Sequence, residues 1–585
     1  MRTLLIASLT VLVTVFALSC AEEGTDVSPA PLAIFIQGLD SNCSASGDAA
    51  AVGMFRVKIV DKSDGLTTVA DEEFSAEGST LSLEDVPESA HLELTVLGLG
   101  GGRDEPVYYG RYKNLSVTKN ETSKVDMTLM RYADFSCPKK RPNGAPNVMF
   151  PSIVNLPDGR ILIIGGFAKA VEESGRWQIT TATDRAYVFD PKTGELRQTK
   201  NNMNAGRGAA GAVYLPKSKL VLVAGGAETM YMEKGGACFP FYFLKDKAGD
   251  VGFTYELFNV DTETFISWKD GWPDANHQMV KQARRVFPAL SVNNDGSVLV
   301  TGGGQWPSCQ TQMETDSDYR VAEFYRPKSE NYDGGFVDSF NALTMKAMRS
   351  GHTSVLLETK DKLNYHLFWG GSTDGAEAEI YKESSGQLDG NYGAFSEVVW
   401  LDKTAYKSKR PFFHTMTPLR DRTFLLVGGA NYKSGMKVPS ASDAFLIKAT
   451  SEQKIGVSAL DGLGVGRYFH AAATYDADHV VVVGGFSSAM KGEDQVFAES
   501  ATADIRFFDL AANKLSEPTD AKGLARGGLV AAPVNNDCLL LAGGADSPGA
   551  GLEFGGKSLP LVVEAYCPSM VCPEGLWATA CYPEE

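Results

Sequence analysis

Seven Gly-Gly pairs constrain this chain more than any other feature. They stand at Gly165-Gly166, Gly225-Gly226, Gly302-Gly303, Gly370-Gly371, Gly428-Gly429, Gly484-Gly485 and Gly543-Gly544, with first-Gly spacings of 60, 77, 68, 58, 56 and 59 residues. The clearest unit, GRYFHAAATYDADHVVVVGGF from Gly466, carries an Arg, a small-residue strand, a polar turn at Asp476-Ala477-Asp478, a β-branched run and the Gly pair. An Arg lies 17 to 21 positions before the pair in six units: Arg207, Arg285, Arg349, Arg410, Arg467 and Arg526. The first unit has Asn147-Val148 there. After each pair comes a loop and a third strand: RAYVFD, YELFNVD, VAEFY, EAEIY, DAFLI, DIRFFD and VEAY. Strand, turn, strand, Gly pair and strand at this period specify propeller blades; a helical solenoid would show 3.6-residue periodicity instead.

These units resemble the kelch family, whose blades carry a small or His-bearing first strand, a second strand ending in Gly-Gly and a third strand with Tyr. His352, His414 and His470 occupy the family's His place, with Ala210 and Pro288 there in the second and third units; Arg410 stands four residues before His414, where other units have three. The resemblance implies an all-β chain with a seven-bladed kelch-type β-propeller over 134–585, its first strands innermost. A shared fold transfers no activity.

Upstream of the propeller, residues 1–19 hold one early Arg2 and an apolar run from Leu4 to Leu18, ending in Ala17-Leu18-Ser19-Cys20. That is a signal peptide, and its end resembles a bacterial lipobox, which would leave Cys20 lipidated; ordinary signal cleavage is the alternative. Ala21 follows Cys20, which favours the outer membrane of a bacterial cell envelope. Residues 20–31 are acidic with Pro29 and Pro31, a tether. Over 32–131, Phe55/Val57/Ile59, Leu92/Leu94/Val96 and Val125/Met127/Leu129 alternate with polar residues, as half-buried antiparallel strands do. This small β-sandwich domain is similar to prealbumin-like and carboxypeptidase-regulatory-like modules, and reads as a spacer or stalk.

A formal charge of −17 argues against nucleic acid and against a polybasic membrane patch, so membrane association is through the lipid anchor only. Nine Cys in an exported protein imply disulfides. Cys238 and Cys309 follow the Gly pairs of adjacent units and are expected to bridge; Cys137 opens the propeller and is expected to pair with Cys567, Cys572 or Cys581.

The expected function sits where strand one begins and strand two ends. There the repeated Arg would ring the channel mouth, suited to a carboxylate, sulfate or acidic sugar. The competing reading is an inter-blade ion pair with Glu323, Glu379 and Glu564; Arg207, Arg467 and Arg526 remain the ligand candidates. The insertion 227–252 adds Tyr231 and Tyr242, and the next unit adds Trp306, as binding residues on a rigid scaffold. The expectation is a lipoprotein whose propeller loop face binds a protein or carbohydrate, with no metal, cofactor or catalytic residue assigned. The alternative is a propeller enzyme acting on a sugar, similar to sialate mutarotases or to copper radical oxidases.

Overall fold

Each unit closes into an antiparallel sheet in the order the repeat dictates, with Val399–Asp402 added as a parallel edge strand to blade 5. The computed structural model describes residues 30–568 apart from 39–50, 64–66, 101–105, 119–120, 174–175, 234–240, 243–250, 269–277, 280–283, 304–319, 329–333, 338–342, 373–375, 385–391, 403–405, 407–410, 431–442, 451–452, 492–493, 521–524, 535–536, 548–551 and 555–556. Cys20, Cys238, Cys309, Trp306 and Arg410 lie outside the described residues.

The seven first strands are Ser152–Asn155, Gly211–Leu215, Ala289–Val292, Thr353–Lys360, Thr415–Leu419, Ala471–Thr474 and Gly527–Val534. Each touches its two neighbours around a closed circle, the last meeting the first, so strand one is innermost in a seven-bladed β-propeller. The second strands, such as Ile161–Ile164 and His479–Val483, are almost wholly buried because both faces pack against adjacent blades. Their continuous β-branched and aliphatic runs follow from this two-sided burial.

Closure comes from the segment around Phe135. Phe135–Ser136 adds as the outer strand of blade 7, pairing antiparallel with Val563–Tyr566, and the Phe135 and Tyr566 rings pack at 4.8 Å. Cys567 is not the partner of Cys137. It bridges to Cys538, at the start of the second strand of the same blade, with a Cα–Cα distance of 4.3 Å. Cys137 is also disulfide-bonded, to a residue outside those described.

Immediately before each first strand lies a second circle. Phe150, Ala209, Phe287, Gly351, Phe413, Phe469 and Gly528 all hold φ between 53° and 72°. Phe150 N–H donates to the Gly528 carbonyl, Ala209 to Phe150, Phe287 to Ala209, Phe413 to Gly351, Phe469 to Phe413 and Gly528 to Phe469, at 2.7 to 3.3 Å. This belt of backbone hydrogen bonds passes from blade to blade around the axis. The four Phe rings meet inside it, with centroids 4.2 to 5.4 Å apart. They close the channel on the loop side.

The N-terminal strands form one seven-stranded sheet that folds over a core of Leu32, Val57, Leu94, Val125 and their neighbours. Its first strand, Ala30–Gly38, begins inside the predicted tether. The domain is no free stalk. Leu97, Leu99, Tyr109 and Met130 share an apolar cluster with Phe135, Tyr475 and Leu539 of the propeller. Arg111 pairs with both Glu93 and Asp537, Lys113 also pairs with Asp537, and the Thr128 hydroxyl donates to the Lys192 carbonyl at 2.7 Å. The sandwich is thereby fastened to the turn side, opposite the Phe plug.

Gly351 tests the belt. A Cβ there would meet the Phe413 ring at 2.4 Å, at a φ of +56°. Gly351→Ala is expected to cost about 1–3 kcal/mol, read as a lower urea midpoint with an unchanged m-value.

Candidate functional site

The repeated Arg sits where each blade turns into its first strand, and its side chain runs inward to the blade rather than to the channel. Arg207 Nη1 donates to the Gly225 carbonyl at 2.9 Å and Nη2 pairs with Glu256 at 3.1 Å. Arg285 reaches the Gly302 carbonyl at 2.8 Å and Glu323 at 3.5 Å; Arg349 reaches the Gly370 carbonyl at 2.5 Å and Glu379 at 2.7 Å. Arg467 reaches the Gly484 carbonyl at 3.2 Å and Asp504 at 2.7 Å, and Arg526 pairs with Glu564 at 2.9 Å. All five are buried, at 5% exposure or less. Arg207, Arg467 and Arg526 are therefore occupied inside the protein, each by an acid at the start of its own third strand.

These ion pairs lie within blades. The link between blades is made by the backbone of the same residue: the second Gly of one blade donates to the carbonyl of the next blade's Arg, as in Gly166 to Arg207, Gly226 to Arg285, Gly429 to Arg467 and Gly485 to Arg526, at 2.8 or 2.9 Å. In blade 5 Pro411 holds that place, accepting from Gly371 at 2.8 Å, and in blade 1 Val148 does, accepting from Gly544. Arg410 is thus one residue out of register with the other Arg.

Cutting one side of such a pair strands a buried charge. Arg349→Ala is expected to lose roughly 3–5 kcal/mol, whereas Arg349→Met with Glu379→Leu should recover most of it. Urea unfolding of the three proteins measures this.

The three His of the repeat are equally structural. His352, His414 and His470 present Nε2 to the hydroxyls of Thr301, Thr353 and Thr415 of the preceding blade, at 3.0, 2.9 and 2.8 Å. They line a space of about 240 Å³ beneath the Phe plug, together with Pro151, Pro288 and Leu529. Burial, reinforced by nearby Arg, holds His352 and His470 well below the ordinary imidazole value, and burial lowers His414 to about 3. His366, in the second strand of blade 4, is lowered by burial to about 4. Among the described residues no group of three His, Cys, Asp or Glu is placed to hold a metal ion.

A depressed imidazole binds its proton more readily in the unfolded chain. Stability is therefore complete above about pH 6.5 and falls as pH drops below it. Among the described histidines, His479, raised by its hydrogen bond to Asp476, works in the opposite sense. The expected decline between pH 6.5 and 5 is up to about 1.4 kcal/mol per unit for each depressed His. His414→Gln should flatten it in chemical-denaturation curves taken across that range.

On the loop side, the segments after the first two Gly pairs build one extra sheet. Phe167–Glu173, Arg176–Ala182, Met230–Glu233 and Phe241–Tyr242 pair in that order, the first two from blade 1 and the last two from blade 2. Tyr231 is buried in it, opposite Tyr242 in register, and its hydroxyl accepts from the Gln178 amide at 3.0 Å. It belongs to the base of this platform, which rests through Phe167, Ile179 and Met230 on the Phe plug. Sequence reading missed Trp177, half-buried, and Val171, 42% exposed, on the blade 1 hairpin. The alternation in FAKAVEE and RWQITTA was the available signal.

No family model matches this chain, and no curated protein does. Among solved structures it is similar to a novel fungal alcohol oxidase of the AA5 family in complex with copper, at 14% identity over 74% of this chain and 76% of that one, with a TM-score of 0.48. It is also similar to YjhT, at 13% identity over 72% of this chain and 99% of that one, with a TM-score of 0.35. Neither likeness bears on what this chain does. The propeller stands on its own strand pairing.

Proposed function

We propose that this chain is a cell-envelope lipoprotein, anchored through Cys20, whose propeller is a binding module for a protein or carbohydrate at its loop face. The observation that carries this reading is the platform shared by blades 1 and 2. It projects strands beyond the blades, it is built on the rigid plug, and it brings Trp177, Tyr231 and Tyr242 into one sheet. Exposed loop segments on a rigid scaffold are where recognition concentrates, and a sheet spanning two blades costs a partner little ordering. The enzyme alternative asks for reactive groups at the channel mouth. The described Arg and His there are engaged with Gly carbonyls, third-strand acids and Thr hydroxyls.

Glycan-array and envelope-protein binding of the chain from residue 20 onward tests the reading. Trp177→Ala, Tyr242→Ala and Trp306→Ala are expected to abolish saturable binding of the ligand held at the platform with melting retained, and Arg467→Ala to lower melting. Turnover of a bound sugar that survives the three aromatic substitutions would replace this reading with the enzyme one. Labelled palmitate should enter the wild-type chain and not Cys20→Ser.

A further inference from the structure

On the turn side the sandwich docks against the strand ends of blades 6, 7 and 1. Between the two domains lies a cavity of about 560 Å³, within the size range of small-molecule sites, which favour domain interfaces. The ends of the inner strands of blades 6, 7 and 1 form its floor, and the sandwich segments around Tyr112 and Met127 form its roof.

Its charges largely cancel. Asp537, 2% exposed, takes both Arg111 and Lys113; Asp158 takes Arg160 at 2.5 Å; Asp476 accepts from His479 at 2.7 Å. Asp126 from the sandwich and Lys192 from blade 1 are left lining the cavity with no ion pair among the described residues. One carboxylate and one ammonium leave no surplus of either sign to attract a charged ligand. They suit a group that donates to one and accepts from the other, which is what a hydroxyl does. Tyr112 and Pro533 supply apolar surface beside them, backed by the buried Met127, Tyr475 and Val534, where the C–H faces of a sugar ring can lie.

The walls are held in advance. Arg111 is clasped between Glu93 and Asp537, and the Lys192 carbonyl accepts from both Thr128 and Gln37, at 2.7 Å each. A preorganised cavity loses little entropy on binding, and an occupant touching both domains stabilises their docking by mass action.

We propose that the cavity between the sandwich and the turn face of the propeller, floored by blades 6, 7 and 1, binds a neutral polyhydroxylated ligand, a short saccharide, with Asp126 and Lys192 as its polar contacts. The site lies at the opposite end of the channel from the loop-face platform, so it stands or falls independently of the platform's role.

Calorimetric titration of the chain from residue 20 onward with cellobiose, chitobiose and maltotriose tests it. At least one sugar should bind at millimolar concentrations or below and slow amide exchange in Pro106–Val117 and at residues 474–476. Asp126→Asn and Lys192→Ala are each expected to weaken that binding by roughly tenfold; both residues are exposed, so melting without sugar should not move. Trp177→Ala on the platform should bind the sugar as wild type does. The proposal is overturned if none of the three sugars binds, if binding ignores Asp126→Asn and Lys192→Ala but disappears in Trp177→Ala, or if glucuronate or glucosamine binds more tightly than the neutral sugars.

Discussion

A guanidinium removed from water is tolerated only when its donors are satisfied, and this propeller uses that requirement as its fastener. In blades 2, 3, 4 and 6 one buried Arg clamps the exit of strand two, through the carbonyl of the first Gly, to the acid at the start of strand three. In blades 2, 3 and 6 its own carbonyl then receives the second Gly of the preceding blade. One residue thus sets the geometry inside a blade and the spacing between blades. The Gly pair follows from the same contact. A Cβ on Gly225 would stand 2.1 Å from the Arg285 carbonyl oxygen, so the clamp closes only around glycine.

Everything nearer the axis depends on that spacing. Once the blades stand at fixed intervals, the left-handed residue before strand one can hand its N–H to the preceding blade, as six of the seven do. Four of those residues are Phe, and Ala209, Gly351 and Gly528 leave room for their rings to meet. A plugged loop-side mouth removes the channel as an entry from that side and shifts recognition to what is built on top of the plug. At the other end the Arg111–Asp537–Lys113 cluster performs the corresponding task, fixing a second domain against the turn side.

Much of this was legible in the repeat. Gly pairs, β-branched runs and polar turns located the first three strands of every blade, because each is a local property of a short segment. The role of the Arg was not legible in the same way. Asp504 is an aspartate, which a search for Glu at the head of strand three passes over, and Glu256 holds the same second place in its strand as Glu379 and Glu564 yet was not matched to Arg207. Nothing local distinguishes a pair closed within a blade from one closed between blades, and register alone decides it. The displaced Arg410 and the substitution of Pro411 show the same limit: the place needs a backbone carbonyl above all, which any residue supplies.

What the sequence determined by itself was the number of units, their internal order and their apolar faces, since periodicity and turn chemistry act over a few residues. Only the tertiary structure decided which groups remain available. Whether an Arg reaches a ligand or a carboxylate, whether Cys567 meets Cys137 or Cys538, and whether a sandwich hangs free or docks depend on contacts between residues up to 426 positions apart. Those contacts exist only once the ring has closed.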